Sequence, residues 1–149
     1  MQIIKIFQIK YLKNYDIIVP SEGVYNLHSV KKEFINYYIY EKDFDIVQEI
    51  ISEFYPDYLD AFDKFFNSHH MVCNSMFICR KDMIDKYCEW IFDILSKLEQ
   101  YIDLSEYKGN RGRIYGYFAE VLFNVWLIKN DFNMKHFYLK HTESNDFIM

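Results

Sequence analysis

Charge stands among aromatic residues in the stretch Asn110-Arg111-Gly112-Arg113-Ile114-Tyr115-Gly116-Tyr117-Phe118-Ala119-Glu120. Arginines on a glycine-flanked loop that leads into a helix present planar donors and backbone N–H groups, the equipment for holding a phosphate or a carboxylate. Glu120 follows Gly116 and Tyr117 at the spacing that puts all three on one helix face. A carboxylate on an aromatic face is costly unless it is paired. Glu120 is therefore either a general base or a structural ion-pair partner of Arg113. It is expected to line a pocket, held by Arg113 or a neighbouring tyrosine instead of pointing to bulk water.

Three further groups have the residue types for chemistry. Asp43-Phe44-Asp45 has the Asp-x-Asp form that can hold a divalent metal against a diphosphate. Here the first aspartate opens an amphipathic pattern, and its charge suits a helix N-terminus, so capping is the preferred reading. His69-His70 precedes an apolar run. Adjacent residues on a strand point to opposite faces, and no Cys-x-x-Cys or His-Glu-x-x-His accompanies the pair, so a structural or substrate-facing role outweighs zinc. Cys73, Cys79 and Cys88 lie in apolar stretches with no electropositive setting, and read as reduced core thiols.

The elements that must position these groups follow from periodicity. Ile3 to Leu12 has helical spacing, and Tyr15 to Pro20 is a β-branched run closed by a proline, a short buried strand followed by a loop from Ser21 to Asn26. Helices are predicted over Val30 to Tyr40, from Asp43 to Phe54 and over Asp57 to Phe66, with Pro56 ending the second. Met71 to Cys79 reads as one strand. Asp82 to Tyr101 is the longest periodic segment, with Ile84, Tyr87, Cys88, Ile91, Leu95 and Leu98 spaced for one buried stripe. A loop from Asp103 to Gly112, a helix from Ile114 to Lys129, a last strand over Met134 to Leu139 and a fraying tail from Lys140 to Asp146 complete the chain.

These elements amount to a single α/β domain of 149 residues, dominated by helices, with a small sheet from the strands near residues 15–19, 71–79 and 134–139. A hydrophobic fraction of 51% excludes a disordered chain, and four Gly with two Pro give too few turns for a sandwich. The net charge of −5, with scattered basic residues, excludes a nucleic-acid footprint. No apolar run reaches a membrane span and no cleavage site follows the N-terminus, so a cytoplasmic, reducing location is expected.

The motifs together resemble a known family. The segments Tyr15 to Pro20, Tyr55-Pro56-Asp57-Tyr58, His70-Met71, Asn74-Ser75-Met76-Phe77-Ile78, Tyr87-Cys88-Glu89-Trp90-Ile91-Phe92 and Arg113 to Glu120, through to Trp126, are similar to the C-terminal part of a bacterial glycosyltransferase-like family. That family is catalogued as domain of unknown function 4422 and is met in capsular and exopolysaccharide gene clusters. The resemblance implies a partial GT-A-like fold in which this chain shapes the acceptor side. It implies transfer of a sugar from a nucleotide-sugar donor to a surface polysaccharide, with a divalent Mn or Mg ion as an option of the full-length fold. It points to His70, Asn74, Arg113 and Tyr115 as substrate-binding residues and to Glu120 as the base that deprotonates an acceptor hydroxyl. Val121 stands where members place an arginine, and the nucleotide-binding half with which they begin is lacking. This leaves open a module completed by a separate chain, at the inner membrane face or elsewhere in the cytoplasm. The alternative is a non-catalytic remnant or interaction module.

Overall fold

The computed structural model describes residues 10–138. The predicted helix over Ile3 to Leu12 falls largely outside the described residues, and the tail from Lys140 to Asp146 wholly so.

The β-branched run folds as β1, Ile17–Pro20, buried along its whole length. Such a run survives only between neighbours on both sides, and β1 is the middle strand of three. It pairs antiparallel with β4, Ile78–Cys79, and parallel with β5, Met134–Phe137. Asn133 ties the entry to this sheet: its backbone N–H donates to Asp16 Oδ2 at 3.0 Å and its side-chain amide to the Asn14 carbonyl at 2.8 Å. A second, two-stranded ribbon pairs β3, His70–Met71, with β2, Gly23–Val24, which lies inside the Ser21 to Asn26 segment read from sequence as a loop. The predicted strand over Met71 to Cys79 is thus two short strands in different sheets. Between them Asn74 and Ser75 adopt positive φ, 70° and 44°, which no continuous strand allows. Cys73, Cys79 and Cys88 are free thiols.

Among the described residues, five α-helices carry the core. They are α1 (Val30–Tyr37), α2 (Glu41–Phe54), α3 (Leu59–Phe66, entered through a 3₁₀ turn at Pro56–Tyr58), α4 (Lys81–Leu98) and α5 (Ile114–Asn130). Ser29 caps α1 by accepting from the Lys32 N–H. Every residue from Val121 to Leu127 on α5 is buried, the mark of a helix surrounded by others. It packs against α3 and α4.

Asp43 does serve the N-terminus of α2, one turn further in than predicted. The helix begins after Tyr40, and Asp43 Oδ2 accepts the Tyr40 N–H at 2.8 Å. The buried stripe of α4 also differs from the predicted one. Met83, Tyr87, Trp90, Ile91, Ile94 and Leu98 face inward, Ile84 is 39% exposed, and Cys88 and Leu95 are half-buried. Two adjacent apolar rows compete on this helix. The row with Trp90 wins, because its ring stacks on Tyr58 at 4.8 Å and meets Tyr55 and Tyr87. The polar loop before α5 is more ordered than its composition suggests, with 3₁₀ turns at Leu104–Glu106 and Gly109–Arg113. Tyr107 anchors it by donating a short hydrogen bond to the fully buried Asp43.

Candidate functional site

The middle of α5 grips the turn between β3 and β4. Asn124, buried in the helix, accepts the Val72 N–H at 2.8 Å and donates to the Val72 carbonyl at 3.0 Å. One turn earlier, Glu120 Oε1 accepts the Asn74 N–H at 2.6 Å. That N–H is available because Asn74 turns the chain out of strand geometry at positive φ. Two side chains at helical spacing thus hold residues 72 to 74 against the helix.

Phenols and a thiol lie near this exposed contact. The ring of Tyr38, just past the end of α1, lies 5.0 Å from that of Tyr117 on α5. Tyr25, just after β2, points its hydroxyl at the Met71 sulfur. Burial pushes the Tyr25 hydroxyl up to about 12, and Cys73, Tyr38, Glu33 and Glu120 add to the shift. Tyr38 is raised by burial first, then by Glu33, Tyr117, Glu120 and Cys73. The Cys73 thiol is raised by burial and by the Glu120 carboxylate. Gly23 lets the thiol in close: a Cβ there would come within 3.3 Å of Cys73 Sγ. A carboxylate near neutral phenols can accept a proton or hold a hydroxylated ligand, and the aromatic faces can cover the apolar side of that ligand.

The structure sorts the five residues singled out in the sequence. Asn74 and Glu120 are brought into contact, through the backbone of Asn74. Arg113 borders the same cluster with its guanidinium 5.7 Å above the Tyr117 ring. It forms no ion pair with Glu120, whose carboxylate is met neither by an arginine nor by a tyrosine hydroxyl among the described residues. The expected holder is replaced by a backbone amide, because Arg113 precedes α5 by one residue and reaches Tyr117 first. Tyr115 is directed elsewhere: its hydroxyl is raised by burial and by Glu99, at the far end of α4. His70 lies on the exposed side of β3, with Nδ1 3.4 Å from Glu22 Oε2.

Tyr25, Glu33 and Tyr38 were missed, and Cys73 was read as a core thiol. Tyr25 and Tyr38 come from segments remote from Glu120 in sequence, and tyrosine is so common in this chain, at 14 residues, that composition does not mark them.

A divalent ion does not fit Asp43-Phe44-Asp45. Both Asp43 oxygens are taken, by Tyr40 N–H and by the Tyr107 hydroxyl, and Asp45 is exposed where Asp43 is buried. Among the described residues no group of three His, Cys, Asp or Glu side chains converges on a metal position.

The scaffold is dominated by helices, with small sheets. It is similar to the apo structure of the bifunctional glycosyltransferase WbbM, with a TM-score of 0.77 and 28% sequence identity over 87% of this chain. The chain belongs to the family described as Domain of unknown function (DUF4422), whose family model matches residues 2–131. It spans 24% of the length of the WbbM chain. No curated protein matches the sequence. Among the described residues no helix is long and apolar enough to cross a membrane.

Proposed function

We propose that this chain is the acceptor-side part of a glycosyltransferase that moves a sugar from a nucleotide-sugar donor to a surface polysaccharide, with Glu120 as general base. The observation that carries the reading is the Glu120 carboxylate, fixed by one backbone amide and set among tyrosines. One oxygen is used for positioning, which leaves the other to accept a proton. In the transfer, Glu120 takes the proton of an acceptor hydroxyl while that oxygen bonds to the anomeric carbon. The bond from that carbon to the diphosphate oxygen breaks, and the nucleoside diphosphate leaves with the electron pair. Tyr38, Tyr117 and Arg113 border the cluster and supply aromatic faces and a cation to the acceptor, with Asn74 forming the turn that orients the base. His70 and Tyr115 lie outside this cluster, and a substrate role for them rests on the family resemblance alone.

The donor-binding half belongs to the remainder of a longer polypeptide or to a separate chain, a reading drawn from the family resemblance. The location proposed is the cytoplasm, the inner membrane face included. A second reading, a module that binds without catalysing, is favoured by Asp43, whose two carboxylate oxygens are used up in holding the start of α2 and the loop before α5.

Glu120→Gln separates the two. Oε1 of the amide keeps the Asn74 contact, so the fold stays intact, while transfer from a panel of nucleotide sugars to a polysaccharide acceptor, with the donor half supplied, falls about 10²-fold or more. An unchanged rate removes Glu120 as base.

A further inference from the structure

A cavity of about 290 Å³ lies away from this cluster, where the start of α4, the end of α5 and the 3₁₀ turn at Pro56–Tyr58 meet. Asn130, on its wall, is ten residues beyond Glu120 on α5, which at the helical rise is about 15 Å. The size is near the lower end of the roughly 300–1,000 Å³ typical of small-molecule sites, enough for one sugar ring and small for a nucleotide sugar.

Its walls divide by chemistry. Tyr58, Trp126 and Phe132 line one part, with the Trp126 and Phe132 rings 4.7 Å apart. Asn130 is fixed there by donating to the Trp126 carbonyl at 2.8 Å, and its side chain also hydrogen-bonds the Tyr58 hydroxyl, which opposes the rise that burial gives that group. Arg80 and Lys86 bring two cations against the single carboxylate of Asp82. Arg80 is loosely shared, 3.6 Å from Asp82 and 3.9 Å from Asp16, whereas Lys86 forms no ion pair among the described residues. The N-terminus of α4 ends at the same place, with no side chain capping it. The partly exposed rings of Tyr58 and Phe132, backed by the buried Trp126, offer apolar surface to the C–H face of a pyranose, and the donors of Arg80 and Lys86 suit a carboxylate on that ring.

We propose that this cavity binds an anionic pyranose unit, a hexuronate, at a position separate from Glu120. The site does not depend on the transferase reading, because its test is binding by the chain as it stands.

Titration of the isotope-labelled protein with sodium glucuronate, glucose or acetate at constant ionic strength reads this directly. The Trp126 indole and Asn130 amide signals are expected to shift saturably with glucuronate, at least about fivefold more tightly than with glucose, and acetate is expected to give no saturable shift. Lys86→Ala, at an exposed position, should keep the spectrum of the folded chain and weaken glucuronate about fivefold, the size of one ion-pair contact of about 1 kcal/mol. Phe132→Ala should weaken both sugars. Equal binding of glucose and glucuronate overturns the anionic part of the proposal. Saturation by acetate with the same affinity reduces the site to an anion site, and shifts confined to other residues, or none, overturn it altogether.

Discussion

Glu120 and Asn124 show how two polar residues on an apolar helix can hold a distant loop. Asn124 satisfies both backbone groups of Val72 and also donates to the Glu120 carbonyl at 3.1 Å. Replacing it with Leu leaves a buried N–H and a buried C=O without partners, each a loss of about 1–3 kcal/mol. Asn124→Leu should therefore lose at least about 2 kcal/mol in urea unfolding. A loss below about 0.5 kcal/mol would mean that residue 72 finds other partners. Asp43 is the same kind of device at the start of α2. It is fully buried and joins Tyr107 to the helix N-terminus, and so sets the loop from which Arg111 and Arg113 project. The two arginines end over tyrosine rings, Arg111 at 4.4 Å from Tyr40 and Arg113 at 5.7 Å from Tyr117. The sequence marked the arginines for anions; the rings beneath them hold the guanidinium groups flat, Arg113 at an exposed position and Arg111 half-buried, with its Nε shielded from solvent and without a hydrogen-bond partner among the described residues.

At the scale of elements, α4 gives the sharpest test, since two apolar rows of similar strength run along it. Ile91 belongs to both the predicted and the observed stripe and is 3% exposed, whereas Ile84 belongs to the predicted one and is 39% exposed. Ile91→Ala should cost about 2–5 kcal/mol and Ile84→Ala under about 0.5 kcal/mol, read by chemical denaturation of the two variants side by side. Equal losses would mean that the helix is rotated. The helices of this chain were legible because their periodicity repeats over several turns. The ribbon of β2 and β3 was not, because these strands have two residues each and their pairing depends on α5 holding the chain that follows β3. A run such as Met71 to Cys79 satisfies strand propensity throughout, and the break at Asn74 and Ser75 is imposed from outside the run.

The molecule as a whole carries an unusual load of half-buried phenols and thiols, and this sets its response to base. Burial raises Tyr25 to about 12 and Cys79 to about 11, and it raises Tyr55, Tyr87 and Tyr107 further still. In the unfolded chain these groups release protons at about 10 for tyrosine and 9.0 for cysteine. The folded state therefore holds protons that the unfolded state has lost, and its stability is full below pH about 9 and falls as pH rises towards 12. Melting temperatures measured from pH 8 upward should be level at first and then decline steadily above pH 9 to 10. A level profile to pH 11.5 would mean that these groups are solvated in the fold.

The sequence by itself determined the class of fold, since 51% hydrophobic residues in helical periods with few turn residues leave little else. It also determined which elements carry the core and which stretch around Glu120 combines charge with aromatic residues. The tertiary structure decided what that stretch meets. Glu120 is bonded to a backbone amide 46 positions away, and Tyr25, Tyr38 and Cys73 join it from segments with no periodic relation to α5. Local pattern reports on neighbours within a turn or two, because propensity and amphipathicity are properties of a single element. Partners brought together by packing leave no mark in the spacing of either segment. For that reason Arg113, the nearest opposite charge in the sequence, was the expected partner of Glu120, and the Asn74 amide is the actual one.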